Sequence, residues 1–177
     1  MMADRTKAEH EYQQWFETHP WVFGTEYVRR IPARTIDLHS QADILLVSVD
    51  GFVDVFELKK PSEAPLLFDS SHDTYYPSAE LSKSLAQAMH YLRVINENRR
   101  ALVEDWGELV FRPRAIIVVG RSHDWAEPQK RGWRNLRTSL QNIDLLTFDQ
   151  VLARAEQLIA QYEITANGAD YQKSEDK

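Results

Sequence analysis

The feature that most constrains the fold is a pair of apolar segments joined by a tight turn signal. Residues 42–49 and 52–59 are apolar at nearly every position, and Asp50-Gly51 lies between them. An Asp-Gly pair between two hydrophobic runs is typical of a β-hairpin. Because neither segment alternates cleanly between apolar and polar residues, we expect other elements to cover both faces of the hairpin.

The rest of the chain alternates between helical and strand patterns. Periodicity predicts an N-terminal helix over residues 4–18, and Ser78 is suited to cap a long helix over residues 78–99. The other predicted elements are a strand and turn over 26–39, a long loop over 60–77, strands over 115–120 and 145–148, and a closing helix over 149–162. This order predicts a mixed α/β sandwich.

Length and composition point to an ordinary globular protein. The 177 residues suit a single domain over residues 1–164, followed by a polar, flexible tail over residues 165–177. No apolar run approaches the roughly 20 residues that span a bilayer, and the N-terminus lacks the apolar stretch of a signal peptide. The absence of cysteine excludes disulfides and thiolate zinc sites. We therefore expect a cytoplasmic protein that does not bind membranes.

The formal net charge of −6 argues against a protein that holds nucleic acid by bulk positive charge. It does not exclude an enzyme that acts on nucleic acid, because a metal ion neutralises carboxylates locally and one basic face can dock phosphates. The sequence also shows no glycine-rich phosphate loop, no zinc spacing among its histidines and no arrangement for a serine or cysteine nucleophile. Covalent catalysis is therefore not expected.

The hairpin carries Asp43 on its first strand and Glu57 and Lys59 on its second. With a two-residue loop, Asp43 pairs with Leu58, and the two carboxylates point to opposite faces of the sheet. With a three-residue loop that ends in a left-handed Gly51, Asp43 lies directly across from Glu57, and Lys59 shares their face. We predict the three-residue loop.

Two carboxylates and an ammonium group in an apolar sheet are costly unless they are paired or bound to a metal ion. A magnesium or manganese ion held by Asp43 and Glu57, with the Leu58 carbonyl as a further ligand, removes their mutual repulsion. Such an ion activates a bound water, which Lys59 is placed to orient. The alternative is that Lys59 only forms a cross-strand ion pair with one of the carboxylates.

An aspartate followed by Glu-x-Lys on adjacent strands resembles the PD-(D/E)xK nuclease superfamily. Glu9 lies on the preceding helix, where that superfamily often keeps a further acidic ligand. Gln87 and Tyr91 resemble its Gln-x-x-x-Tyr element. A closer resemblance is to the C-terminal nuclease domain of the Shedu anti-phage defence proteins. Its matching stretches are residues 11–24, 42–62, 80–99 and 112–122.

The resemblance implies a restriction-endonuclease-like fold and metal-dependent DNA cleavage within bacterial defence. It implies that Asp43, Glu57 and Lys59 are catalytic and that Gln87 supports the site. It also implies an acidic metal ligand on the first helix, for which we favour Glu9 over its neighbour Glu11.

DNA contacts are expected from a basic segment around a tryptophan and from residues near the hairpin. Basic side chains hold phosphates, and a tryptophan ring stacks on a base. The candidates are Lys60, Tyr91, Arg131, Trp133 and Arg134. The alternatives are an amphipathic helix with a solvated basic face and a half-buried Trp133, and an ordinary polar stripe at Gln87 and Tyr91. Arg29, Arg30 and Arg34 form a second basic cluster.

The sequence therefore supports a first hypothesis of an endonuclease that cuts DNA with Mg²⁺ or Mn²⁺. The rival is a non-catalytic module with a nuclease fold that binds nucleic acid or assembles a larger complex. A purely structural domain is a third possibility, which metal binding separates from the other two. We also expect a homo-oligomer, because cutting both strands of a duplex usually needs two active sites.

Overall fold

The computed structural model describes residues 9–32, 35–37, 40–107 and 110–175, with side chains described between residues 13 and 163. The helices are α1 (Glu9–Thr18), α2 (Ala79–Glu97), α3 (Arg99–Trp106), α4 (Glu127–Ser139) and α5 (Phe148–Glu175), with a 3₁₀ helix over Pro20–Phe23. The strands are β1 (Tyr27–Ile31), β2 (Thr35–Asp37), β3 (Ser40–Gln41), β4 (Ile44–Ser48), β5 (Val53–Leu58), β6 (Leu66–Asp69), β7 (Thr74–Pro77), β8 (Ala115–Val118) and β9 (Ile143–Leu146).

The centre of the fold is a five-stranded mixed sheet in the order β1-β4-β5-β8-β9. Strands β1, β4 and β5 pair antiparallel, whereas β5, β8 and β9 pair parallel. Clusters of buried side chains from α1 and α5 cover one face, and clusters from α2, α3 and α4 cover the other. The predicted α/β class is confirmed, and the architecture is consistent with a nuclease-like sandwich.

The hairpin β4–β5 has the predicted three-residue loop. Ile44 lies opposite Phe56 in the ladder, and the Ser48 amide donates to the Phe52 carbonyl at 2.8 Å. Gly51 adopts a left-handed φ of 86°, and its amide donates to the Ser48 carbonyl at 2.9 Å. The two-residue alternative is therefore excluded, and the register places Asp43 across from Glu57.

Both faces of the hairpin are buried, as its continuous apolar sequence predicts. Ile44, Leu46, Phe56 and Leu58 point toward α1 and α5. Their neighbours Leu45, Val47, Val53 and Val55 point toward α2 and α3. Since side chains alternate along a strand, the odd-numbered Asp43, Glu57 and Lys59 fall on the α2 side of the sheet.

The prediction of a long loop over residues 60–77 is wrong, because this segment folds into the hairpin β6–β7. Its prolines suggested a loop, but Pro77 ends β7, where it does not interrupt the ladder. Asp69 stabilises the turn by accepting a 2.9 Å hydrogen bond from the Ser71 amide. The two ends of the hairpin lie together, since the Ser78 amide donates to the Pro65 carbonyl at 2.9 Å.

The long helix α2 starts as predicted, with the Ser78 hydroxyl accepting from the Leu81 amide at 3.2 Å. The separate helix α3 that follows was not predicted. Helix α5 runs to Glu175, so the predicted tail over residues 165–177 overlaps its last turns. The flexibility of that tail stays a prediction. Within the described residues, no helix is long and apolar enough to cross a membrane.

Gly120 lies two residues after β8, where the loop that follows Lys60 packs on the main chain. Its φ is 61°, and a Cβ at this position would lie 2.4 Å from the Glu63 carbonyl oxygen. We expect Gly120→Ala to lower the free energy of unfolding by about 2–4 kcal/mol, because left-handed backbone and a main-chain clash both oppose alanine.

Gly107→Ala is the matched control for this substitution. Gly107 has a similar φ of 67°, but a Cβ there meets no described atom within 4 Å. Its expected loss is only about 1–2 kcal/mol, from the backbone conformation alone. Urea denaturation of both variants measures the difference, and equal losses would contradict the close packing inferred at Gly120.

Candidate active site

Asp43, Glu57 and Lys59 come together at the end of the hairpin β4–β5. Asp43 occupies a bend just before β4, Glu57 is near the end of β5, and Lys59 follows that strand directly. The Lys59 Nζ donates to Glu57 Oε1 at 2.6 Å. Glu57 is only 4% exposed, and a carboxylate in a largely apolar setting is costly without a partner. The Lys59 ammonium group is that partner.

The Asp43 carboxylate is fixed on the neighbouring strand. Its Oδ2 accepts a 2.7 Å hydrogen bond from the Leu58 amide. The Asp43 side chain thus accepts a hydrogen bond from the main chain of β5 just beyond the last residue pair of the β4–β5 ladder. This contact holds the carboxylate beside Glu57 rather than out in solvent.

Helix α2 contributes the next layer of the site. Lys59 Nζ donates to Gln87 Oε1 at 3.4 Å, and Gln87 Nε2 donates to the Tyr91 hydroxyl. The Tyr91 hydroxyl in turn donates to the Gln41 carbonyl at 2.6 Å. The structure therefore places Gln87 in contact with the predicted catalytic lysine, through an acceptor that helps to orient the ammonium group.

Tyr91 is 3% exposed, and its hydroxyl lies near the acidic pair. Burial raises the pKa of Tyr91, and the negative charge of Glu57, followed by that of Asp43, raises it further. The phenol therefore stays protonated at physiological pH and keeps its role as a hydrogen-bond donor. The buried position does not suit the direct DNA contact predicted for Tyr91.

The oxygen donors of the site suit a hard divalent cation. Asp43 and Glu57 carry two negative charges and Lys59 one positive charge, which leaves one negative charge for a cation to offset. Mg²⁺ and Mn²⁺ bind through one or two carboxylates and keep several waters. Among the side chains that the structure describes, no group of three or more acidic or histidine residues gathers at one place.

A family model for the C-terminal domain of the Shedu protein SduA matches residues 6–152. The chain belongs to the Shedu SduA C-terminal family. The matched region includes the hairpin β4–β5 and helix α2, which carry the site. No curated protein matches the chain. The Shedu family is associated with nuclease activity in anti-phage defence.

The acidic ligand expected on the first helix of this Shedu domain is Glu9, in the first turn of α1. The side chains of Glu9 and Glu11 lie outside the described residues, so the choice between them stays a prediction. Gln13, one turn after Glu9, is described, and its Nε2 donates to the Asp43 carbonyl at 3.0 Å. Helix α1 is therefore docked against the site.

Gln13 is a site residue that the sequence analysis did not single out. Its position on the same helical face as Glu9 was the available signal, but helical spacing does not say what that face contacts. The contact with Asp43 joins residues 30 positions apart in the chain. Only the packing of α1 on the sheet establishes it.

The predicted DNA-binding residues of the Shedu domain differ in exposure. Trp133 is 3% exposed and packs edge-on against Trp125, with ring centroids 5.4 Å apart. The stacking of Trp133 on a base therefore does not fit the structure, because the ring belongs to the core. Lys60, Arg131 and Arg134 are exposed.

Two of the basic side chains considered for DNA binding already have acidic partners. Arg131 pairs with Glu127 at 3.2 Å, and Arg30 of the second basic cluster pairs with Glu17 at 3.3 Å. Arg34 lies outside the described residues. Exposed ion pairs are weak, so the Arg131 pair does not prevent that arginine from turning toward a phosphate.

Proposed function

We propose that this Shedu-family domain is a metal-dependent endonuclease of the PD-(D/E)xK type that hydrolyses DNA phosphodiester bonds during anti-phage defence in the cytoplasm. The observation that carries the proposal is the shared face of Asp43 and Glu57, with the Lys59 ammonium 2.6 Å from Glu57 Oε1. This arrangement combines two oxygen ligands for a cation with a fixed positive charge for a phosphate or an attacking water.

In this proposal, Asp43 and Glu57 hold Mg²⁺ or Mn²⁺, together with the Leu58 carbonyl and an acid of α1. The bound ion supplies a water of lowered pKa and offsets negative charge on the phosphate under attack. Lys59 orients the attacking water, and Gln87 keeps the Lys59 ammonium in place by accepting a hydrogen bond. No covalent intermediate with the protein is needed.

DNA is proposed to approach along the exposed basic side chains Lys60, Arg131 and Arg134. These residues supply phosphate contacts that position the duplex without reading its sequence. Trp133 is left out of this surface because of its burial. Cutting of both strands is proposed to require a homo-oligomer that brings two sites to one duplex.

The first experiment is cleavage of plasmid and linear DNA by the purified protein with Mg²⁺, Mn²⁺ or EDTA. We expect metal-dependent cutting, and we expect Lys59→Ala to reduce the rate by about 10²–10⁴-fold, as for loss of a group that assists proton transfer. Lys83→Ala is the matched control, because Lys83 is 73% exposed and pairs only with the surface residue Glu80 among the described residues.

Circular dichroism of both lysine variants checks that they are folded. Absence of cutting by folded wild-type protein, across both DNA forms and both metals, would overturn the proposed activity. That outcome would favour a module that binds nucleic acid or assembles a complex without cutting. Equal rates for Lys59→Ala and wild type would remove Lys59 from the mechanism.

A further inference from the structure

Among the described residues, the segment that carries Asp43 lies outside the strand ladders. Strand β3 ends at Gln41 and β4 begins at Ile44, so Ala42 and Asp43 form a bend between the two strands. Glu57 lies within the ladder of β5 with β8, whereas Asp43 lies just beyond the first β4–β5 residue pair, Ile44 and Phe56. Side-chain contacts to this bend therefore contribute to where the carboxylate lies.

Two side chains hold the bend from opposite faces of the sheet. Gln13 of α1 donates from Nε2 to the Asp43 carbonyl at 3.0 Å. Tyr91 of α2 donates from its hydroxyl to the Gln41 carbonyl at 2.6 Å. Ala42, between these two carbonyls, is 2% exposed, so the bend lies between the two helices.

We propose that Gln13 and Tyr91 are positioning residues that clamp this bend and thereby set the affinity of the site for a divalent cation. The proposal rests on the proposed function, because it concerns the same metal site. Their hydrogen bonds keep the Asp43 Oδ2 on the Leu58 amide and hold the carboxylate beside Glu57. A metal site requires its ligands to be held in place by such supporting contacts.

The direction of the Tyr91 hydrogen bond also orients Gln87. The single hydroxyl hydrogen of Tyr91 goes to the Gln41 carbonyl, so its oxygen accepts from Gln87 Nε2. The amide oxygen of Gln87 is then turned toward Lys59 Nζ. Tyr91 therefore links the bend of Asp43 to the position of the lysine.

Gln13 is oriented in the same way by its neighbours. Its Nε2 donates both to the Asp43 carbonyl and to Glu17 Oε1, the latter at 3.1 Å. Glu17 is in turn paired with Arg30 of β1. The amide nitrogen of Gln13, rather than its oxygen, therefore faces the bend, and α1 and β1 together fix this side of the clamp.

The first test measures hydrogen exchange of the Leu58 amide by NMR in metal-free protein. Gln13→Met and Tyr91→Phe each remove a donor while keeping most of the side-chain volume. We expect the Leu58 amide to exchange up to about tenfold faster in each variant, because one hydrogen bond that holds its acceptor is lost. Gln14→Met, at an exposed neighbouring position of α1, is the matched control and should leave the exchange unchanged.

The second test measures Mn²⁺ binding to the same proteins by calorimetric titration without DNA. Loss of a supporting contact typically weakens metal affinity by about 10–100-fold, and we expect that range for both variants. Raising the Mn²⁺ concentration should then restore DNA cutting by Gln13→Met and Tyr91→Phe. A purely structural role would instead lower the melting temperature and leave the Mn²⁺ affinity unchanged.

The outcomes separate this proposal from the proposed function. If wild type binds Mn²⁺ and cuts DNA, but both variants match it in Leu58 exchange and Mn²⁺ affinity, the clamp is overturned and the nuclease stands. If wild type neither binds Mn²⁺ nor cuts DNA, the proposed function fails and with it the role of the clamp in metal binding. A lower melting temperature with unchanged Mn²⁺ affinity also overturns the clamp.

Discussion

Glu57→Gln is expected to reduce the rate of DNA cutting by roughly 10³-fold, the upper range for removing one electrostatic contact to a reacting group. Glutamine keeps the shape of the side chain but removes the negative charge that we propose binds a cation. It also leaves the Lys59 ammonium, now 2.6 Å from Glu57 Oε1, without the carboxylate that holds it. We therefore expect the substitution both to weaken metal binding and to displace the Lys59 ammonium.

Initial cutting rates over a range of Mg²⁺ concentrations measure this effect, and calorimetric titration with Mn²⁺ measures the change in metal affinity. Some loss of stability is also expected, because the Lys59 ammonium loses its carboxylate partner, so circular dichroism must show that the variant is folded under the assay conditions. Wild-type cutting by Glu57→Gln at low Mg²⁺ would exclude Glu57 as a ligand and leave only its ion pair with Lys59.

The second large effect is on stability, where Asp54→Asn is expected to lower the free energy of unfolding by about 2–3 kcal/mol. Asp54 is 5% exposed, and its Oδ2 accepts from Arg114 Nη2 at 2.6 Å and from the Tyr27 hydroxyl at 3.0 Å. Its Oδ1 accepts from the Arg114 amide at 2.8 Å. An asparagine would turn an N–H group toward one of these donors.

Tyr27 depends on the same carboxylate. Burial raises the pKa of Tyr27, and the negative charge of Asp54 raises it further, so the phenol stays protonated and donates. Without the charge of Asp54, the Tyr27 hydroxyl and the half-exposed Arg114 lose a common acceptor. The cluster ties β1, β5 and the start of β8 together.

Urea denaturation measures the expected loss, and thermal unfolding should show a decrease of roughly 5–10 °C for a domain of this size. Asp54 lies on the same hairpin as Glu57 but on the opposite face of the sheet, so Asp54→Asn should keep the cutting rate of wild type below its melting transition. It is the matched control for Glu57→Gln. Loss of cutting by folded Asp54→Asn would show that the two faces are coupled.

The hairpin and the register of its acids could be predicted because the determining signals are local. Asp50-Gly51 sets the turn, and side-chain alternation then decides which residues share a face. The apolar sequence of both strands also predicted that both faces are covered. These parts of the fold need no knowledge of distant contacts.

The remaining parts of the site, and the Asp54 cluster on the opposite face of the sheet, depend on contacts between distant segments. Gln13 reaches Asp43 across 30 positions, Tyr91 reaches Gln41 across 50, and Arg114 reaches Asp54 across 60. Periodicity shows which face of a helix a residue occupies but not which strand that face meets. Trp133 illustrates the same limit of prediction from sequence. Its basic neighbours suggested a surface position, but its ring packs into the core.

The hairpin β6–β7 has a consequence for how this family can diversify. The hairpin is inserted between Lys59 and Gln87 in the sequence. Its two ends are joined by a hydrogen bond of 2.9 Å from the Ser78 amide to the Pro65 carbonyl. Because this contact joins the ends, we expect changes in the length of the hairpin to have little effect on the separation of β5 and α2. We therefore expect related proteins to differ in this hairpin while the residues of the proposed site keep their spacing.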